Sequence, residues 1–254
     1  MNNLFSLFLS QAYKDCWDDY QRTIKSPNFP KWDYVILTAS NEQQAEGFNK
    51  QMEARREYLP ADTKFVAIPD RGGKRVGSGG ATLEVIKYLK EQEGSFESLR
   101  VLVIHSGGDS KRVPQYSALG KLFSPVPHEL PDGRSATLFD EFMISMSSVP
   151  SRIREGMVLL SGDVLLLFNP LQIDYNNAGA AAISFKEHVE TGKNHGVYLN
   201  GEKDEVKCCL QKKSVETLRQ MGAVNEQDCV DIDTGALIFS TEMMNSLYSL
   251  IETE

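Results

Sequence analysis

The sequence predicts an α/β fold with a mostly parallel central sheet and an inserted antiparallel hairpin. Three observations carry that prediction. Short apolar, β-branched runs recur between longer helix-like stretches, the alternation that builds a parallel sheet with helices on both faces. The runs are apolar throughout, as strands covered on both faces require. Two further strand-like runs are separated only by the polar turn Asn200-Gly201-Glu202-Lys203-Asp204-Glu205, which reads as a hairpin.

Residues 1–30 form a leading helical segment that stops near Ser26-Pro27-Asn28-Phe29-Pro30, where two prolines forbid continuation. Tyr34-Val35-Ile36-Leu37-Thr38 is the first buried strand, and Ser40-Asn41-Glu42 supplies capping residues for a polar helix reaching about Tyr58. Lys64 to Ile68 repeats the strand signal. A glycine-rich loop follows, then a helix over Thr82–Leu89 with Leu83, Ile86 and Leu89 on one face. Val101-Leu102-Val103-Ile104 is the third strand. A helix over Thr137–Ser147 precedes strands at Met157–Leu160 and Ala180–Phe185, and the hairpin pairs Gly196–Leu199 with Val206–Leu210. A helix at 214–221 and a strand at about Val230–Phe239 complete the pattern. With no internal repeat, long linker or second hydrophobic block, residues 31–254 read as one domain after the helical segment.

The 254 residues are 41% hydrophobic, and 27 basic against 35 acidic side chains give a formal charge of −8. That balance excludes a chain-wide nucleic-acid or anionic-membrane binder, although it permits a local basic pocket. The apolar Leu4-Phe5-Ser6-Leu7-Phe8-Leu9 has no preceding Lys or Arg and is followed by Lys14, Asp15, Asp18 and Asp19, so neither a signal peptide nor a membrane span is expected. Cys16, Cys208, Cys209 and Cys229 contain no C-x-x-C pair, and reduced thiols in a cytoplasmic setting are expected. Oligomeric state is not legible in the sequence.

The chemistry-bearing candidates cluster at strand ends, where ligands gather in open α/β sheets. His105-Ser106-Gly107-Gly108-Asp109-Ser110-Lys111-Arg112-Val113-Pro114 follows the most apolar strand. Gly107 and Gly108 let backbone N–H groups converge on an anion, and Lys111 and Arg112 add phosphate-pairing charge. On spacing alone the loop serves equally as a solvated turn. It is not a Walker loop, since Gly120-Lys121 is followed by Leu122 and Gln115 stands where the first glycine belongs. Nor is Gly108-Asp109-Ser110-Lys111-Arg112 a hydrolase elbow, because it ends in Arg. Arg71 to Thr82 is a near miss for a dinucleotide turn. Asp163, after Ser161-Gly162, offers a strand-end carboxylate of the kind that holds a nucleotide-bound divalent cation, and Asp231 or Asp233 offers a second; each in isolation fits a turn as well.

In order, Lys74-Arg75-Val76-Gly77-Ser78-Gly79-Gly80-Ala81-Thr82, the His105–Pro114 segment, Gly120-Lys121, Gly162-Asp163-Val164, Asn194-His195-Gly196-Val197, Leu210-Gln211-Lys212 and Asp233-Thr234-Gly235 resemble the L-fucose-1-phosphate guanylyltransferase domain of the bifunctional fucokinase/GDP-fucose pyrophosphorylase family. The similarity runs from about Trp32 to Phe239. It implies a glycosyltransferase-A-like Rossmann nucleotidyltransferase that joins GTP and L-fucose 1-phosphate, with Mg²⁺, to give GDP-L-fucose and pyrophosphate. It further implies that Gly107, Gly108 and Ser110, with Lys111, wrap the triphosphate, that Arg112 and Lys121 neutralise departing pyrophosphate, and that Lys212 grips the sugar phosphate. Asp163 and Asp233 hold the metal, Asn194, His195 and Gly196 line the sugar site, and Gly79 and Gly80 let guanine approach the backbone. His195 is equally readable as a core or loop histidine.

Two departures from that family pattern stand out. Gln211-Lys212-Lys213 replaces the usual Gln-Lys-Pro, and the chain ends at Glu254, so the family's β-helical and kinase regions are expected to be absent. A catalytically silent nucleotide- or sugar-phosphate-binding module, or a guanylyltransferase for another hexose 1-phosphate, is the alternative reading.

Overall fold

The computed structural model describes residues 3–106 and 120–251. They form a mixed α/β structure that divides into two compact units, residues 1–180 with 238–254 and residues 181–237.

The first unit is built on four parallel strands, β1 (Tyr34–Ala39), β2 (Lys64–Pro69), β3 (Arg100–His105) and β6 (Gly156–Ser161), in the order β2-β1-β3-β6. Every residue of β1 is buried, and Val101–Ile104 of β3 are fully inaccessible. A strand covered on both faces has no polar side to alternate with, which is why these runs are apolar throughout. β2 forms an edge. Its outward-facing Ala67 N–H is taken by the Asn49 side chain at 3.0 Å, and Pro69 has no N–H, so the edge offers little to a pairing strand.

Helix α1 (Asn3–Lys25) ends ahead of Pro27 and packs on α4 (Leu138–Ser145). The Ser147 hydroxyl donates to the Cys16 carbonyl at 2.8 Å and ties the two segments together. Helix α2 (Glu42–Glu53) starts at Asn41, whose side chain accepts the Gln44 N–H. It ends before Tyr58, where a single 3₁₀ turn over Arg56–Tyr58 replaces the expected continuation. Helix α3 (Gly77–Glu93) begins five residues before Thr82, so the segment expected as loop up to Ala81 includes its first turn. Val85, Ile86 and Leu89 are fully buried, and that anchorage offsets the roughly 1 kcal/mol by which each helical glycine trails alanine. A short antiparallel pair, β4 (Pro125–Glu129) with β5 (Ser135–Thr137), and a last helix, α7 (Thr241–Ile251), were not expected from the sequence.

In the second unit, β8 (Gly196–Asn200) and β9 (Val206–Gln211) form the expected antiparallel hairpin, and β8 also pairs with β10 (Cys229–Phe239). β7 (Ala180–His188) pairs with β10 as well. Alternation is clean: Val197, Leu210, Val230 and Ile232 pack with Val189 of α5 (Val189–Gly192) and Leu218 of α6 (Val215–Gln220). Tyr198, Cys209, Gln211, Asp231 and Asp233 occupy the alternate positions on the same strands.

Candidate functional site

The order β2-β1-β3 means that the chain leaves β1 for one neighbour and later returns to its other side. The switch point of the sheet therefore lies between the C-terminal ends of β1 and β3, where Thr38 and His105 pair in register. A cleft of about 240 Å³ opens there, lined by Thr38, Ser40, Asp70, Arg75, Gly77, Ser78, Ala81 and His105. The first turn of α3 forms one wall. Gly79 is exposed in it, and Gly80 is required, because an added Cβ would lie 2.6 Å from the Val76 Cβ.

His105 is clamped between two threonines. Thr82 gives its one hydroxyl proton to the Ser78 carbonyl at 2.9 Å, leaving its oxygen to accept from Nε2–H at 3.2 Å. Nδ1 then accepts from the Thr38 hydroxyl at 3.3 Å. Burial pushes the imidazole down to about 4, so it is neutral at physiological pH. Asp70 lies at the end of β2, and burial raises its carboxyl above the usual range against the opposing effects of the Val76 N–H and Arg75. Asp70 did not stand out in the sequence, and His105 did so only as the head of the segment running to Pro114. His105, Thr38 and Thr82 come from three separate segments and meet only through sheet register.

Next along the sheet, β3 and β6 pair with His105 opposite Ser161. The turn after β6 passes so close to β3 that an added Cβ on Gly162 would sit 2.9 Å from the His105 carbonyl oxygen, and the Gly162 N–H donates to that oxygen at 3.0 Å. This contact fixes the backbone just ahead of Asp163 against the end of β3 at His105 and Ser106. Asp163 accepts the Ser161 hydroxyl at 2.7 Å, and its other oxygen lies 3.6 Å from the Lys121 ammonium. Ser161 foremost, then Lys121, hold the carboxyl below its ordinary range. Lys121 follows Gly120, whose φ of +66° disfavours any side chain and where an added Cβ would lie a tight 3.1 Å from the Phe48 ring. The structure thus brings Lys121 and Asp163 together. Gly107, Gly108, Ser110, Lys111 and Arg112 lie outside the described residues.

In the second unit, Gly196, Gln211 and Asp233 are neighbours across three strands. A Cβ on Gly196 would meet the Gln211 amide nitrogen at 2.7 Å and the Asp233 Cβ at 3.1 Å. One Asp233 oxygen accepts the Tyr198 hydroxyl at 2.6 Å and the Gly235 N–H at 2.7 Å. Lys212 leaves the strand with φ +48°, and its N–H donates to the His195 carbonyl at 3.0 Å. Asn194, His195 and Lys212 are exposed. His195 is therefore not a core histidine.

Among the described residues no cluster of three or more potential metal ligands exists. Magnesium held by one or two carboxylates together with substrate phosphates needs none, and the exposed, anionic Asp163 is a donor of that type. Among the described residues, no helix is long and apolar enough to cross a membrane.

Residues 93–254 match the family described as "Fucose pyrophosphorylase domain". The chain is 28% identical over 267 aligned residues to the "Bifunctional fucokinase/GDP-fucose pyrophosphorylase" of Arabidopsis thaliana, with 90% of this chain and 25% of that protein covered. It is 30% identical to the "Fucose-1-phosphate guanylyltransferase" of Mus musculus, with coverage of 77% and 35%. The corresponding Homo sapiens protein is also 30% identical, with coverage of 76% and 34%. The chain spans between a quarter and about a third of the length of these relatives. By the matched domain, the ordered motifs and the strand-end geometry together, this chain belongs to the fucose pyrophosphorylase family.

Proposed function

We propose that this chain is a sugar-1-phosphate guanylyltransferase of glycosyltransferase-A-like Rossmann type, joining GTP and L-fucose 1-phosphate to give GDP-L-fucose and pyrophosphate. The observation that carries the reading is the Lys121–Asp163 pair at the strand ends beside the switch point, in a chain that belongs to this family.

A phosphate oxygen of the sugar phosphate attacks the α-phosphorus of GTP in line, forming the new P–O bond as the bond to pyrophosphate breaks. A phosphate dianion is already a nucleophile, so no general base is required. The protein's work is to hold two mutually repelling anions in register and to neutralise charge moving onto the leaving group. Lys121 sits on a glycine-fixed backbone and offers a cation to the departing pyrophosphate, a task shared with Arg112. Gly107, Gly108, Ser110 and Lys111 supply donors to the triphosphate, and Gly79 and Gly80 leave the first turn of α3 accessible to the base. Lys212 is the cation for the sugar phosphate, beside the Asn194-His195-Gly196 segment to which it is hydrogen bonded. Asp163 and Asp233 are assigned to magnesium, which when bound supplies further charge neutralisation to the phosphates.

The test is pyrophosphate release by this chain with Mg²⁺ and L-fucose 1-phosphate, comparing GTP, ATP and UTP, beside an Asp163→Ala control. Release with GTP that vanishes in the control is the expected result. No release from any combination of GTP and a hexose 1-phosphate would overturn the reading and leave a nucleotide- or sugar-phosphate-binding module.

A further inference from the structure

The cleft at the switch point contains a carboxylate to which the reaction above gives no role. Asp70 directly follows β2, and its N–H donates to the Ala39 carbonyl at 2.7 Å, which fixes its backbone against the end of β1. Its side chain faces a cleft whose other polar side chains are poor readers of a base edge. Both ring nitrogens of His105 are engaged by Thr38 and Thr82. The Ser40 hydroxyl donates to Gln44, and Arg75 can only donate. Asp70 alone among the lining side chains presents two acceptor oxygens side by side. The Val76 N–H takes one of about four lone-pair sites and leaves the rest.

A carboxylate on this wall repels phosphate, so the triphosphate does not bind against it. It suits instead an edge that carries two adjacent donors. Guanine has such an edge in its N1–H and exocyclic N2–H groups, whereas adenine presents an acceptor at N1 and uracil flanks its one N–H with carbonyls. The glycine at the mouth of α3 keeps the approach open: a Cβ built on Gly77 meets nothing within 4 Å.

We infer that Asp70 determines base specificity, its carboxylate accepting the N1–H and N2–H groups of guanine in the cleft between the ends of β1 and β3 and the first turn of α3. The inference rests on the guanylyltransferase reading for its ligand, and it deepens that reading by naming the residue that distinguishes GTP from other nucleotides.

The experiment exchanges one acceptor for a donor. Asparagine keeps the size of Asp70 and can still accept the Val76 N–H through its amide oxygen. Xanthine carries a carbonyl oxygen where guanine carries the 2-amino group, so an amide at position 70 matches xanthine and opposes guanine. Titration calorimetry of the wild-type chain and Asp70→Asn with GTP, XTP and ATP reads the exchange, and pyrophosphate release is measured separately on the same samples. Wild type is expected to bind GTP at least tenfold more tightly than XTP or ATP, and Asp70→Asn to reverse the GTP–XTP order with ATP unchanged. Weakening of GTP and XTP alike in Asp70→Asn would overturn the inference, as would wild-type binding of all three nucleotides with equal affinity or of none. A reversed preference in binding without pyrophosphate release would sink the transferase reading and leave the base assignment standing. Release with GTP and no reversal would sink the base assignment alone.

Discussion

Replacing Lys121 by alanine separates its proposed chemistry from its contribution to the fold. Its ammonium lies 3.6 Å from Asp163, with the two side chains 40% and 56% exposed. A pair so accessible to water is worth at most about 1 kcal/mol after screening and side-chain entropy, which corresponds to a melting shift of about 2–4 °C or less in a chain of this size. Asp163 keeps its hydrogen bond from Ser161, so the carboxylate remains placed when the lysine is gone. A preorganised cation facing charge that develops in the transition state is a larger matter: loss of one such donor costs on the order of 10²–10³ in kcat. Lys121→Ala is therefore expected to melt within a few degrees of wild type and to release pyrophosphate about 100- to 1,000-fold more slowly at saturating GTP and L-fucose 1-phosphate. A loss of less than fivefold in kcat would refute the role given to Lys121. A large loss accompanied by a collapse in melting temperature would refute the claim that the role is chemical.

Three further outcomes are expected. His105 titrates at about 4 in the folded chain against about 6.5 unfolded, so the unfolded state binds the extra proton between those values and stability falls as pH drops through 6.5 towards 4. Linkage puts the loss at about 2.5 kcal/mol between pH 7.5 and pH 4.5, and urea unfolding at both pH values should show that increment missing in His105→Gln; an identical pH dependence in the variant would refute the burial argument. Gly120→Ala forces a side chain into φ +66° and against the Phe48 ring, which should cost about 1–2 kcal/mol in urea unfolding. Because Gly120 acts on turnover through Lys121, the Gly120→Ala/Lys121→Ala double variant should be no slower than Lys121→Ala alone. Tyr198→Phe removes one of two donors to the same Asp233 oxygen and should lower stability by about 1–2 kcal/mol, with a change below 0.3 kcal/mol arguing against the bond.

The strands were legible because burial on both faces leaves a one-dimensional signature that needs no tertiary knowledge: Val35-Ile36-Leu37 and Val101–Ile104 read as strands and are strands. The start of α3 was not, because local propensity at Gly77-Ser78-Gly79-Gly80 opposes a helix that only the burial of Val85, Ile86 and Leu89 stabilises. β4 was hidden for a related reason, since its two prolines and the exposure or half-exposure of all five of its residues give no apolar run to detect. At the site, order along the chain brought Lys121 and Asp163 into one argument, and the sheet brings them into one pair. Asp70 and the Thr38–His105–Thr82 clamp escaped, because no spacing in the chain says which strand ends lie side by side.

The three charged positions share a construction that explains why each is written as a glycine followed or faced by a charge. Gly162 lies against the His105 carbonyl, Gly120 against the Phe48 ring and Gly196 against Asp233, each within 3.1 Å of where a Cβ would be. In each case the tight packing around the glycine fixes the backbone near the side chain that carries the charge. Electrostatic catalysis of phosphoryl transfer depends on donors and cations that need no reorganisation as charge moves, and a backbone with no room for a side chain is one that resists being moved. The glycines thus belong to the electrostatics as much as to the fold. A substitution there displaces a charge without removing it, so it should lower turnover at unchanged net charge, whereas substitution of the charged neighbour removes the charge and leaves the backbone where it was.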